Sequence, residues 1–263
     1  MERLFVIKIG GNVIDNSKNL YLFLENFSSL EGHKVLVHGG GKIATKLAAD
    51  LGIESKLVDG RRVTDLETLQ VVTMVYAGLI NKNIVAQLQA HGCNAIGLSG
   101  ADGNFIRAQK RPVKEIDYGF VGDIHEGSVA AHSLSKLIEG GFTPVFSPIT
   151  HDGQTQLLNT NADTIASALA VAFSGIYQTS LIYCFEKKGV LRDVMDENSV
   201  IPLIDQESYY GLKADGTITE GMIPKLDNAF NAINNGVDSV IIGDAGDLNL
   251  LQSTGNFGTK LIA

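Results

Sequence analysis

The chain has 263 residues, of which 44% are hydrophobic and 19% are charged; this balance is typical of a compact globular protein and excludes a disordered or fibrous chain. Its 21 basic and 29 acidic residues give a net charge of −8. Because the chain contains no lysine- and arginine-rich run, nucleic acid and anionic membrane surfaces are not expected partners.

The cysteines and the apolar segments indicate the cellular compartment of the protein. Cys93 and Cys184 lie far apart and belong to no CxxC motif, so neither a disulfide framework nor a zinc site is expected. The apolar stretch at residues 4–9 is interrupted by Lys8 and is too short for a signal peptide. No stretch is expected to span a bilayer. We therefore expect a cytoplasmic protein.

The first two predicted strands each run into glycines. Residues 4–9 end at Gly10-Gly11, and residues 35–37 end at His38-Gly39-Gly40-Gly41. Helical patterns follow at residues 20–27 and 43–51. This repeated strand, glycine turn and helix predicts a parallel sheet covered by helices.

The rest of the chain continues the alternation. Thr64-Asp65-Leu66-Glu67 has the form of a capping box and predicts a long helix to about residue 90. The glycine-rich residues 104–128 predict antiparallel hairpins that form a flap over a ligand. Further strands are predicted at 94–98, 144–149, 181–185 and 239–242, and further helices at 134–139, 161–173 and 222–234. We place a boundary between two lobes at Ser174-Gly175, which divides the chain into residues 1–175 and 176–263.

Several catalytic motifs are absent or incomplete. The chain has no GxxxxGK[ST] and no HExxH, and Gly97-Leu98-Ser99-Gly100-Ala101 misses the nucleophile elbow at its last residue. The segment 39–44 satisfies GxGxx[GA] after a strand, and Asp59 follows 20 residues after Gly39. A dinucleotide-binding oxidoreductase therefore stays open as an alternative.

Two adjacent glycine loops at strand ends favour phosphate binding by backbone N–H groups, although glycines also simply make tight turns. Lys8 lies inside an apolar strand, where an ammonium group needs a negative partner. Lys225, Asp163 and Arg62 are further candidate site residues. Each also has a purely structural interpretation: Lys225 as a solvated lysine, Asp163 as an acidic residue that stabilises the helix dipole, and Arg62 as a surface charge.

Five segments in this order resemble the amino acid kinase family: Lys8-Ile9-Gly10-Gly11, His38-Gly39-Gly40-Gly41, Arg62-Val63-Thr64, Asn159-Thr160-Asn161-Ala162-Asp163 and Gly221-Met222-Ile223-Pro224-Lys225. The resemblance covers nearly the whole chain. It implies an α/β fold, an open αβα sandwich with a mainly parallel central sheet. It also implies that the N-terminal lobe binds an acylated amino acid and the C-terminal lobe binds ATP.

The resemblance implies roles for individual residues. Lys8 and Lys225 would stabilise the phosphoryl group in transfer, with Asp163 holding both lysines. The implied substrate contacts are Gly39, Gly40, Gly41, Arg62 on the α-carboxylate, and Asn159. The implied nucleotide contacts are Gly10, Gly11, Glu186, Lys188, Gly189, Leu191, Thr217 and Lys225. No protein metal ligand is implied, since Mg²⁺ would be held mainly by the nucleotide phosphates.

The implied reaction is ATP-dependent phosphorylation of the γ-carboxylate of N-acetyl-L-glutamate in arginine biosynthesis. N-succinyl-L-glutamate is the alternative substrate, because Arg107, Lys110, Arg111 and Lys114 in the flap could meet a second carboxylate. Relatives commonly carry a segment like Thr/Ser-Asp-Val-x-Gly-Val where this chain has Cys184-Phe185-Glu186-Lys187-Lys188-Gly189-Val190-Leu191, with Glu186 at the aspartate position. This difference leaves a non-catalytic ligand sensor as a further alternative. Since the chain begins at its first strand, the resemblance implies a homodimer that arginine does not inhibit.

Overall fold

A parallel sheet forms the centre of the fold. The computed structural model describes residues 1–58, 60–218, 222–253 and 257–263. Asp59, which supported the dinucleotide alternative, and Gly221, which opens the fifth family-like segment, lie outside the described residues. Within them the central sheet has the strands β1 (Arg3–Ile9), β2 (His33–His38), β3 (Ala95–Leu98), β4 (Thr143–Phe146), β5 (Gln178–Phe185), β6 (Leu203–Ile204), β7 (Ser239–Asp244) and β8 (Thr259–Leu261).

The strand order across the sheet is β6-β8-β7-β5-β1-β2-β4-β3. The pairs are parallel except β7 with β8, which is antiparallel. The helices are α1 (Gly11–Ile14), α2 (Ser17–Ser29), α3 (Gly41–Asp50), α4 (Leu66–Ala90), α5 (Ala131–Glu139), α6 (Ala162–Ser174), α7 (Gln206–Ala214) and α8 (Ile223–Asn234). The α/β class and the mainly parallel sheet predicted from the sequence are confirmed.

Helices cover both faces of the sheet, and the alternation of side chains along β1 divides the core into two layers. Leu4 and Val6 pack in the layer that holds α6 and α8, whereas Phe5, Ile7 and Ile9 pack in the layer that holds α2 and α4. Successive side chains of a strand point to opposite faces. The αβα sandwich is therefore built around a strand buried on both sides.

The sequence located the main elements but missed several short ones. The predicted strand at 144–149 divides into β4 and a separate hairpin of Ile149–His151 with Leu157–Asn159. The short strands β6 and β8, the helix α7 and the 3₁₀ helix Ala245–Gln252 were not predicted. In the flap, Gln109–Lys110 pairs antiparallel with Gly122–Asp123, which confirms the expected hairpin.

Helix α4 begins one residue later than its sequence motif indicated. The predicted capping box is wrong, because the N-cap is Asp65, whose carboxylate accepts the backbone N–H of Thr68 at 2.8 Å. Thr64 is buried and extended, and its backbone bonds to Tyr118 and Phe120 of the flap. The middle of α4, Met74–Ile80, is π-helical.

By length and composition α4 could cross a membrane, contrary to the sequence-based expectation. It has 25 residues, and its most apolar window has a mean hydropathy of 1.2. However, Leu69, Val72, Val75, Ile80 and Ile84 of this helix are buried in the core. A core helix of a globular protein passes the same test of length and composition, and α4 packs as one.

The sheet is continuous across the predicted boundary between residues 175 and 176. β1 and β5 pair in parallel from Arg3 with Gln178 to Ile9 with Cys184. The division into a substrate lobe and a nucleotide lobe stays a prediction.

His38, at the end of β2, is a fully buried histidine that connects the sheet to α4. Its Nε2 lies 3.1 Å from the amide Nδ2 of Asn81, and its Nδ1 lies 2.9 Å from the carbonyl oxygen of Gly39. Since the amide donates to Nε2, the ring is neutral and donates through Nδ1. Burial lowers the pKa of His38 to about 4.

We predict that the free energy of unfolding decreases as the pH falls from about 6.5 towards 4, because the unfolded chain then binds a proton at His38 that the folded chain does not. Urea denaturation across this range measures the slope. His38→Gln should flatten it, whereas His132→Gln, at an exposed position, should retain the wild-type slope. Identical slopes for wild type and His38→Gln would contradict the prediction.

Candidate active site

A buried ion pair joins β1 to the first turn of α6. The ammonium nitrogen of Lys8 lies 2.7 Å from Oδ1 of Asp163, and Lys8 as a whole is 7% exposed. Asp163 is placed there because Asn161 caps α6, its side chain accepting the backbone N–H of Asp163 at 2.8 Å. The sequence-based argument that Lys8 needs a negative partner is confirmed.

Lys225 reaches the same place from the first turn of α8, in which Pro224 is the second residue. Its ammonium lies 4.2 Å from the centre of the Phe185 ring. Burial lowers the pKa of Lys225, Asp163 opposes this effect, and the charge of Lys8 adds to it. Lys225 is thus half-buried and electrostatically coupled to the ion pair, so the solvated alternative is wrong.

Two ammonium groups and one carboxylate leave an excess of positive charge in a partly buried site. Such a site stabilises an anion more strongly than the same charges would in open water. The arrangement can therefore bind a phosphate and can stabilise charge that develops on it.

The two glycine loops lie side by side at the ends of β1 and β2. A Cβ atom on Gly39 would lie 3.9 Å from the backbone nitrogen of Gly11, and one on Gly11 would meet no atom of the described residues within 4 Å. Gly40 has φ 139°, and a Cβ atom there would lie 2.1 Å from Ile80 of α4. The Gly10 N–H donates to the carbonyl oxygen of Cys184 at 3.1 Å, so this group already has a partner in the sheet.

One cavity of about 540 Å³ collects most of the predicted substrate and catalytic residues. Its lining includes Gly39, Gly40, Gly41, Arg62, Asn159, Asp163 and Lys225. These residues come from four separated segments of the sequence. The fold thus brings them together, while the contacts that each would make with a ligand stay predictions.

Arg62 and Asn159 are held in place by their neighbours. The guanidinium of Arg62 donates to Gly41 at 3.0 Å and to the hydroxyls of Thr45 at 2.7 Å and Ser55 at 2.8 Å. The amide of Asn159 donates to the hydroxyl of Thr64 at 3.0 Å. Arg62 is therefore a fixed, half-buried cation in the cavity wall and not a free surface charge.

Among the four cations of the flap, Arg111 lines this cavity. Two of its nitrogens bond to the carboxylate of Asp123, the shorter contact being 2.6 Å. Its third nitrogen, Nη1, is buried and has no hydrogen-bond partner among the described residues. The sequence named Arg111 as a flap cation but could not single it out from Arg107, Lys110 and Lys114.

Of the residues predicted to contact a nucleotide, Glu186 lies beside the first glycine loop. Its carboxylate accepts a hydrogen bond from the side-chain amide of Asn12 at 2.7 Å, and the carbonyl oxygen of the same amide accepts a hydrogen bond from Lys42. Asn12 thus connects the first glycine loop to Glu186 and Lys42, and the sequence did not single it out. Its position directly after Gly10-Gly11 was the available signal.

The other predicted nucleotide contacts are distributed over the second half of the chain. Lys188 lines a separate cavity of about 220 Å³ with Asp244, Asp247 and Phe257. Gly189 is required by close packing, since a Cβ atom there would lie 2.7 Å from the Thr259 hydroxyl. Leu191 is buried and bridges to Val200. The Thr217 N–H donates to the Asp215 carboxylate at 2.9 Å.

In the described part of the chain, no group of three or more histidine, cysteine, aspartate or glutamate side chains is arranged to hold a metal ion. The site is rich in ammonium and N–H groups instead. These groups suit anionic oxygens as partners.

Comparisons with known proteins show the family of the chain. Acetylglutamate kinase from Cytophaga hutchinsonii is 57% identical over 265 residues, covering 100% of both chains. Acetylglutamate kinase from Bacteroides fragilis is 60% identical over 241 residues, covering 92% of each. N-acetylglutamate synthase from Neisseria gonorrhoeae superimposes with a TM-score of 0.82 at 20% identity, and this chain spans 59% of its length. Residues 3–244 match the model of the amino acid kinase family, and the chain belongs to this family.

Proposed function

We propose that this protein transfers the γ-phosphoryl group of ATP to the γ-carboxylate of N-acetyl-L-glutamate, forming N-acetyl-L-glutamyl 5-phosphate in arginine biosynthesis. The observation that carries the proposal is the coupled group of Lys8, Lys225 and Asp163 at the wall of a cavity lined by a glycine loop. Relatives that are 57% and 60% identical are acetylglutamate kinases.

The chemistry needs charge stabilisation more than covalent help from the protein. Phosphoryl transfer spreads negative charge over the oxygens of the migrating group, and ammonium groups held in advance stabilise that charge. The ion pair with Asp163 fixes the Lys8 ammonium, so little reorganisation is needed at the moment of transfer. A γ-carboxylate is ionised at neutral pH, so no general base is required.

The acylated amino acid would bind in the cavity of Gly39, Gly40 and Gly41. Arg62 would pair with its α-carboxylate, and Asn159 would bond close by. The support for these roles is that both side chains are oriented by hydrogen bonds before any ligand binds.

ATP would bind between the first glycine loop and the second half of the chain, contacting Gly10, Gly11, Glu186, Lys188, Gly189, Leu191, Thr217 and Lys225. Mg²⁺ would be held mainly by the nucleotide phosphates and water, and it would neutralise part of their charge. We assign residues 1–175 to the substrate lobe and 176–263 to the nucleotide lobe.

We also propose a cytoplasmic homodimer. On α4 the side chains of Leu66, Met74 and Leu79 are each more than half exposed. Apolar side chains exposed along one helix favour contact with a second copy of the chain. Sedimentation equilibrium at micromolar concentration would distinguish a dimer from a monomer.

N-succinyl-L-glutamate is a second candidate substrate, and one observation favours it. The buried Nη1 of Arg111 lacks a partner among the described residues and belongs to a side chain that lines the substrate cavity. A buried donor without a partner is costly. The second carboxylate of a succinyl group would satisfy it.

Substitution of either lysine should abolish most of the activity. We predict that Lys8→Ala and Lys225→Ala each lower kcat by roughly 100-fold or more, which corresponds to about 2.7 kcal/mol of barrier. Lys46→Ala removes an exposed lysine of α3 and should retain wild-type turnover. Near-normal kcat in both folded site variants, with folding checked by circular dichroism, would remove the assigned role.

The substrate is tested by measuring ADP release and trapping the acyl phosphate with hydroxylamine. We predict that turnover on N-acetyl-L-glutamate exceeds that on N-succinyl-L-glutamate, L-glutamate and L-aspartate. A preference for the succinyl compound that Arg111→Gln abolishes would establish the second candidate. Binding without turnover on every compound would overturn the kinase proposal in favour of a ligand sensor.

A further inference from the structure

The ring of Phe185, at the end of β5, lies close to both lysines of the site. The ammonium of Lys225 is 4.2 Å from the ring centre, and that of Lys8 is 5.2 Å from it. Both distances fall within the range of cation–π attraction, in which the negative face of the ring stabilises a positive charge. One aromatic side chain therefore contacts both cations.

The surroundings of Phe185 fix its orientation. The ring stacks on Tyr183 with 6.1 Å between the ring centres and 17° between the planes. Its Cδ1 lies 3.6 Å from the position of a Cβ atom on Gly10, so it packs against the first glycine loop. The Tyr183 hydroxyl donates to the carbonyl oxygen of Asp163 at 3.4 Å. The ring is thus held between the glycine loop and α6.

The charges of the site leave Lys225 in need of such a contact. Asp163 forms its 2.7 Å ion pair with Lys8. Burial and the charge of Lys8 both lower the pKa of Lys225, and Asp163 only opposes them. The Tyr183 hydroxyl, which donates to the carbonyl oxygen of Asp163, stays neutral because burial and Asp163 raise its pKa. A ring face at 4.2 Å adds stabilisation of the ammonium form.

We propose that Phe185 is a positioning residue, which holds the Lys225 ammonium beside Lys8 and next to the first glycine loop before any nucleotide binds. The proposal rests on the proposed function only for the role of the two lysines in phosphoryl transfer.

The direct test measures the titration of Lys225 by NMR, with lysines labelled with carbon-13 at Cε and the signal assigned through Lys225→Arg. Phe185→Leu keeps apolar bulk but removes the ring face, and it should lower the pKa of Lys225. Phe185→Tyr keeps the ring face and should leave that pKa at the wild-type value. Phe185→Met serves as the non-aromatic variant if the leucine variant does not fold.

The kinetic test uses the N-acylglutamate that the wild type phosphorylates. Phe185→Leu should lower kcat about tenfold, the size of one cation–π contact. It should also move the alkaline limb of the pH profile to lower pH and leave the KM for the N-acylglutamate nearly unchanged. Phe185→Tyr should keep kcat within about threefold of the wild-type value and should leave the alkaline limb at its wild-type pH.

Phe27→Leu is the matched control, because the Phe27 ring also lies under a lysine, with its centre 5.3 Å from the Lys34 ammonium, but Phe27 belongs to α2 and lies in the hydrophobic core. It should lower Tm without changing kcat. The proposal is overturned if Phe185→Leu and Phe185→Tyr have the same Lys225 titration. If the wild type phosphorylates none of the substrates, the proposed function fails while the titration still decides the role of Phe185.

Discussion

The buried ammonium group of Lys8 is the constraint on which the site depends. An unpaired charge in a strand with helices on both faces would be strongly destabilising. The strand can carry Lys8 only because α6 begins directly beside it and presents Asp163 at 2.7 Å. This ion pair therefore depends on the position of α6, on its cap at Asn161 and on the composition of its first turn. This pair costs folding energy that a hydrophobic residue would not, and it places a fixed cation at the end of the central strand.

The parallel topology converts this local pairing into a site. In a parallel sheet the carboxyl ends of neighbouring strands meet at one edge, where the loops that follow them lie together. β1, β2 and β5 are neighbours in the sheet, so Gly10-Gly11, Gly39-Gly40-Gly41 and Phe185 meet there although they are far apart in sequence. Helices α6 and α8 lie in one layer on the same face, and each contributes a charged residue from its first turn. A protein with a net charge of −8 thereby concentrates positive charge at one place.

Much of this arrangement could be predicted from the sequence, because it depends on local patterns. Apolar runs that end in glycines predict buried strands, and a lysine inside such a run predicts an anionic partner. The failures also have physical causes. The side chain of Thr64 predicts a helix cap, but its backbone bonds to the flap, and Asp65 caps the helix instead. Short strands such as β6 and β8 have too few residues to show the alternation of apolar and polar side chains that is typical of a strand.

The residues that the sequence could not assign are those whose role depends on neighbours from other segments. Arg111 differs from the other flap cations in its pair with Asp123 and in its place in the cavity lining, which no local pattern encodes. Phe185 shows the same principle. In the sequence it is the last apolar residue of a strand. Its ring meets Lys8 from β1 and Lys225 from α8 only after the sheet has formed. Because the two lysines repel each other, an aromatic face that attracts both lets them stand close together before an anion arrives.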